Sequence, residues 1–137
     1  SQIWGFNTGG NVRSDIAVDD TAVYAGAGFS NTSVYGIDKS NGTQIWEFAT
    51  GDDVDSGIAV DDTAVYAGSG DNNVYGIDKS NGSQIWEFNT GGSVNGVAID
   101  DTAVYAGIFG TAYGIDKSNG SQIWELNTGN RVRDIGL

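Results

Sequence analysis

The stretch Gly76-Ile77-Asp78-Lys79-Ser80-Asn81-Gly82-Ser83-Gln84-Ile85-Trp86 decides the fold. It reads as the end of one β-strand, a tight turn and the start of the next strand. Asp, Ser and Asn bond locally to their own backbone, and Gly82 supplies the positive φ of a hairpin bulge. The same string returns, almost unchanged, at Gly36 to Trp46 and Gly114 to Trp124. Trp stands at positions 4, 46, 86 and 124, at spacings of 42, 40 and 38 residues, each time after Gln-Ile. A second string, Asp-Asp-Thr-Ala-Val-Tyr-Ala-Gly, begins at Asp19, at Asp61 and at Asp100. Self-similarity at a fixed period of this length is the signature of a repeat architecture.

Working outward within the second unit, Val54 to Val60, Ala64 to Gly68, Val74 to Ile77 and Gln84 to Phe88 are short runs rich in β-branched and aromatic residues. Each is bounded by turn formers, so each predicts a strand. The 22 glycines are spread too evenly for a stable helix. The strands are apolar on both faces, as befits sheets sandwiched between neighbours. Four short antiparallel strands per period of about 40 residues predict the blades of a β-propeller. The fold class is therefore all-β, with about three and a half blades in units 1–42, 43–82, 83–120 and a partial 121–137. Gln2 to Phe6 reads as an extra outer strand and Val132 to Leu137 as an extra inner one. Three blades leave two sheet faces in water, so ring closure by association of copies, a homodimer above all, is expected.

The repeat resembles that of the PQQ-like β-propellers, whose pattern is Ala-x-Asp-x-x-Thr-Gly-x-x-x-Trp. Asp78, Gly82 and Trp86 match it; Gly76 stands at the Ala position and Asn81 at the Thr position. The resemblance implies that Trp46, Trp86 and Trp124, and Trp4 by its spacing, pack across blade interfaces. They would dock beside the turns of Asp38 to Gly42, Asp78 to Gly82 and Asp116 to Gly120. A large ring burying apolar area once per unit is the same expectation from chemistry alone. The family's dehydrogenases hold pyrroloquinoline quinone with a calcium site, a catalytic Asp and, in many members, vicinal cysteines. This chain has no Cys and looks like the non-enzymatic branch, that of the outer-membrane assembly scaffolds. No cofactor is expected, and no catalytic or metal residue is assigned.

Eighteen acidic against six basic residues give a net charge of −12. Nucleic acid and anionic membrane reward clustered Lys and Arg, and no such cluster exists, so neither is an expected partner. Absence of His removes the commonest general base. No apolar run is long enough for a membrane helix. A start at Ser1 without Met reads as a mature, processed or excised form. The compartment is open, with an extracellular or cell-surface site the slight preference. The acidity fits either a merely soluble surface or one suited to concentrated salt, where repulsion is screened. Either way, the melting temperature should be higher in molar potassium chloride than in dilute buffer; a flat or falling value would contradict it.

The two turns are invariant, whereas the loops at the opposite end of each strand vary. Binding diversity on rigid scaffolds usually sits in such loops. Arg13, Asp55, Asn95 and Arg133 follow a Val at equivalent positions, and Phe29, Asp71 and Phe109 stand in the other variable loop. These seven are the candidate binding-face residues; drift in idle loops is the alternative. Asp52, Asp53 and Asp55 could gather calcium, yet the other units have no equivalent cluster. Asn31, Asn41, Asn81 and Asn119 open glycosylation sequons, though Asn-Gly at three of them also simply makes a turn. The functional expectation is an interaction scaffold that binds itself and another protein. A glycan-binding propeller is the alternative, and a quinoprotein fragment a further one.

Overall fold

A computed structural model describes residues 3–12, 14, 16–28, 31–54 and 57–131, the side chains of 128–131 excepted. Strands β1 (Ile16–Val18), β2 (Ala22–Gly26), β3 (Ser33–Asp38) and β4 (Gln44–Ala49) form the first blade. The second holds β5 (Ile58–Val60), β6 (Ala64–Gly68), β7 (Asn73–Asp78) and β8 (Gln84–Asn89). In the third, β9 (Gly96–Ile99), β10 (Ala103–Asp116) and β11 (Gln122–Arg131) pair in the order β11-β10-β9. All pairings are antiparallel, and sequential strands are neighbours in every sheet. The described residues contain no helix long and apolar enough to cross a membrane. The propeller fold expected from the repeat is present as an open, unclosed arc.

The first two blades superimpose in register as well as in sequence. Tyr24 faces Gly36 and Gly36 faces Trp46; Tyr66 faces Gly76 and Gly76 faces Trp86. The invariant turns explain themselves. In the turn after β3, one Asp38 carboxylate oxygen accepts from the Ser40 amide and hydroxyl at 2.9 and 2.7 Å. The Asn41 side-chain oxygen accepts from the Thr43 amide at 3.0 Å. The Gly42 amide donates to the Asp38 carbonyl at 2.8 Å, with φ at +76°. The same bonds recur after β7 and β10. Asn at the family's Thr position thus serves the turn with its amide oxygen.

The third blade departs from the expected loop at Ile108 to Ala112. β10 runs unbroken through it for 14 residues. Yet the Lys117 amide reaches the Thr102 carbonyl at 3.4 Å, so the two ends of β10 lie side by side. The strand therefore doubles back, around Gly110 with φ +87°. Its first leg pairs with β9 and its second with β11, which restores the four-legged blade. The expected outer strand at Gln2 to Phe6 also differs: Ile3 to Phe6 belong to no strand, and Gln2 lies outside the described residues. Val132 to Leu137 lie outside them too.

Hydrophobic cores lie between blades rather than within them. Between the first and second, Tyr24, Val34 and Trp46 meet Ile58, Val65, Tyr75 and Ile77. Between the second and third, Tyr66, Val74 and Trp86 meet Val104, Ala106, Ile108 and Ile115. Both faces of β6 and β7 are thereby covered, so these strands need no polar face. The outer strand β8 departs from the expectation of strands apolar on both faces, since Trp86 is buried while Gln84, Ile85, Glu87 and Asn89 are exposed.

Candidate functional site

Each blade interface is built from one tryptophan and one turn. From β4, the Trp46 ring crosses to the second blade. Its indole N–H donates to the Lys79 carbonyl at 2.7 Å. A methyl added to Gly82 would lie 2.8 Å from Trp46, so only glycine leaves room for the ring. From β8, Trp86 repeats this on the third blade. It bonds the Lys117 carbonyl at 2.9 Å and covers Gly120, where an added methyl would lie 2.7 Å from the ring. Trp46 and Trp86 are 5% and 6% exposed. Each ring's other side rests on its own sheet. A methyl at Gly36, Gly76 or Gly114 would come within 2.6 Å of the ring opposite, which accounts for glycine at the family's Ala position. Tyr24 stacks beside Trp46 and Tyr66 lies tilted beside Trp86, each with ring centroids 5.9 Å apart. Phe48 and Phe88 meet Tyr75 and Tyr113 edge-on across the same interfaces.

An ion pair closes each interface, and the sequence reading missed it. Asp19 caps the turn before β2 through one carboxylate oxygen, which accepts the Thr21 and Ala22 amides at 2.9 and 2.8 Å. Its other oxygen takes the Tyr24 hydroxyl at 2.9 Å and, from the next blade, the Lys79 ammonium at 2.9 Å. Asp61 does the same with Thr63, Ala64, Tyr66 and, at 2.8 Å, Lys117. Burial alone would raise the Asp61 pKa. The Lys117 ammonium, the two amides and the Tyr66 hydroxyl outweigh it and hold the carboxyl well below the usual range. Tyr75, buried and bonded to the Asp71 carboxylate, is pushed up to about 12. The repeated Asp and Lys were visible in the sequence. The available signal was that Lys39, Lys79 and Lys117 never vary, although an Asp-Ser-Asn-Gly turn has no use for a cation.

At the two ends of the stack the same parts lack their counterparts. On the last blade, Trp124 is 43% and Leu126 60% exposed, and Tyr105, buried in the other blades, is half-buried. Asp100 caps its turn and takes the Tyr105 hydroxyl at 2.8 Å, but among the described residues no lysine pairs with its carboxylate; Lys117 meets only its backbone carbonyl. On the first blade, Trp4 sits where a preceding blade would place its tryptophan. Its indole N–H donates to the Lys39 carbonyl at 2.8 Å, and an added methyl at Gly42 would lie 2.6 Å from its ring. Phe6 meets Tyr35 edge-on at 5.2 Å. The inner half of this face is uncovered: Ile16 is 61% and Val18 57% exposed.

The variable loops gather at the opposite end of the strands. Asn11 bridges Gly28, the Val54 amide donates to the Ala27 carbonyl, and the Gly70 amide to the Asp53 carbonyl. Asp71 is already engaged: it accepts from the Gly51 amide of the neighbouring loop at 2.8 Å, and from the Asn73 amide at 3.0 Å and the Tyr75 hydroxyl of its own hairpin. The Asn95 amide donates to the Gly107 carbonyl at 2.7 Å. Phe109 stands 69% exposed at the bend of β10. Arg13, Phe29, Asp55 and Arg133 lie outside the described residues.

Shallow polar hollows lie at the turn end. One, of about 350 Å³, is lined by Thr63, Tyr66, Asp101, Thr102, Asp116, Lys117 and Ser118. Another, of about 420 Å³, is lined by Asp20, Thr21, Asp38, Lys39 and Ser40, the first-blade equivalents of five of those residues. No group of three acidic side chains among the described residues is placed to hold a metal.

The model of the family described as outer membrane protein assembly factor BamB matches residues 1–135. No curated protein matches the chain by sequence. Among solved structures, BamB from Moraxella catarrhalis is similar at 17% identity and a TM-score of 0.79, over 91% of this chain and 39% of that one. The computationally designed Ika4 protein is similar at 15% identity and a TM-score of 0.86, over 96% and 82%. A quinohemoprotein alcohol dehydrogenase, ADHIIG from Pseudomonas putida HK5, is similar at 21% identity and a TM-score of 0.79, over 93% and 22%. At such identities these structures share the fold alone. The chain spans well under half of the Moraxella protein and of the dehydrogenase.

Proposed function

The chain belongs to the family of the outer membrane protein assembly factor BamB, and from that membership we propose that it is a non-enzymatic interaction module. Its blades form a rigid arc that completes itself by self-association and offers its variable loops to another protein. The single observation that carries this reading is the exposed end of the stack. Trp124, Leu126 and Tyr105 form half of an interface whose other copies, in the same molecule, bury the tryptophan and tyrosine and partly bury the Phe48 and Phe88 that stand in place of Leu126. Exposed aromatic surface of this kind marks contact sites. Two copies would supply six blades, within the range of closed propellers. Light scattering on a sized peak should give about twice the chain mass of 14.3 kDa; a stable folded monomer at all concentrations would refute closure by association.

The repeated polar hollows support a second reading, glycan binding at equivalent sites between turns. Hydroxyls, carboxylates and an ammonium at repeated positions suit several sugars of one chain. Binding on a glycan array, lost on Asp116→Ala, would favour it over the protein-binding reading.

A further inference from the structure

We propose that the segment Ile3 to Thr8 is a latch, filling on the first blade the socket that the Trp124 strand of a second copy takes when two copies join head to tail. The proposal rests on the self-association reading above and adds what controls it.

The latch and the incoming strand carry one sequence. Gln2-Ile3-Trp4 and Asn7-Thr8-Gly9 repeat as Gln122-Ile123-Trp124 and Asn127-Thr128-Gly129. The socket is the one Trp46 and Trp86 enter elsewhere, with the indole on a lysine carbonyl and the ring over a turn glycine. It holds one ring only, because even a methyl at Gly42 would collide with Trp4. A second tryptophan must therefore expel the first.

The latch is an incomplete substitute for a blade. It belongs to no strand, and Trp4 stays half-buried where Trp46 and Trp86 are covered. It brings no carboxylate to Lys39, whose ammonium meets only the Asp19 carbonyl at 3.1 Å among the described residues. It also leaves Ile16 and Val18 in water. The last blade of another copy supplies what is missing. Asp100 stands where Asp19 and Asp61 stand when they hold the next blade's lysine, and Tyr105, Trp124 and Leu126 occupy the places of Tyr24, Trp46 and Phe48. The two end faces are complementary in charge and shape, so a second copy of this chain is the occupant. A latch in place lowers apparent affinity by the fraction of molecules whose socket is open.

The test compares self-association constants of the full chain by sedimentation equilibrium. Trp4→Ala empties the socket and should tighten association by about tenfold or more as that fraction rises. Phe6→Ala, which loosens the same segment, should act in the same direction if Trp4→Ala melts too early to use. Trp124→Ala should abolish association. Asp100→Asn, which keeps the turn-capping oxygen, and Lys39→Glu should each weaken it, and together they should weaken it less than additively. If Trp4→Ala and Phe6→Ala associate no more tightly than wild type, the latch is overturned, while losses on Trp124→Ala and Asp100→Asn would leave head-to-tail association standing. If those losses are absent, or no variant associates, both ideas fall.

Discussion

Replacing Trp86 by Ala should destabilise the chain by roughly 3–5 kcal/mol, the usual cost of truncating a buried large aromatic. Trp86 holds two blades at once. It rests on Gly76 of its own sheet, covers Gly120 of the next, and lies tilted beside Tyr66. Truncation also leaves the Lys117 carbonyl without its indole donor. Chemical denaturation read by far-ultraviolet circular dichroism gives the number. A loss under about 1 kcal/mol would mean that the ring is solvent-exposed and would return the tryptophans to the role of ligand platforms. The internal comparison is Trp124→Ala at protein concentrations too low for association. The residue, the strand and the flanking sequence are the same, but 43% of Trp124 is already in water, so the change should cost a fraction as much.

A comparable loss is expected at Gly82, for two separable reasons. Its φ of +77° lies in the left-handed region, where a Cβ costs roughly 1–2 kcal/mol. A methyl there would also come within 2.8 Å of Trp46, and displacing a packed ring adds about 1–3 kcal/mol. Gly82→Ala should therefore cost roughly 2–5 kcal/mol. Gly91 isolates the backbone part: its φ is +83°, and nothing lies within 4 Å of the place a methyl would take. Gly91→Ala should lose only the first contribution. Equal losses at the two glycines would show that the Trp46 contact yields without cost.

The blades were legible because the sequence states one blade pattern three times, and the turn chemistry of Asp78 to Gly82 is local. The packing of a tryptophan against a turn glycine in the next unit was legible through the family resemblance. The ion pairs were not. Asp19 and Lys79 are separated by a whole unit and more, and Asp19 already had a sufficient local task as a turn cap. Only the register of one sheet against the next shows that its second oxygen faces a lysine. The bend of β10 was misread as a loop because four residues between Gly107 and Ala112 can turn without leaving the ladder. Asp71 shows the reverse limit: it stands in a variable loop, yet its carboxylate is taken up by Gly51, Asn73 and Tyr75. The difference between Trp86 and Trp124 is invisible to any reading of periodicity, since position in the stack alone separates them.

Because the middle sheet is covered on both sides while its neighbours are each covered fully on one, the arc behaves as a short chain of coupled units rather than as one indivisible body. Its folding free energy is then a sum of per-blade terms and two nearest-neighbour couplings. Losing an end blade forfeits one coupling, whereas losing the middle one forfeits both, so melting proceeds inward from the termini. A repeat array of this kind can gain or shed blades at its ends without redesigning any contact, since every new junction reuses the same tryptophan, glycine, aspartate and lysine.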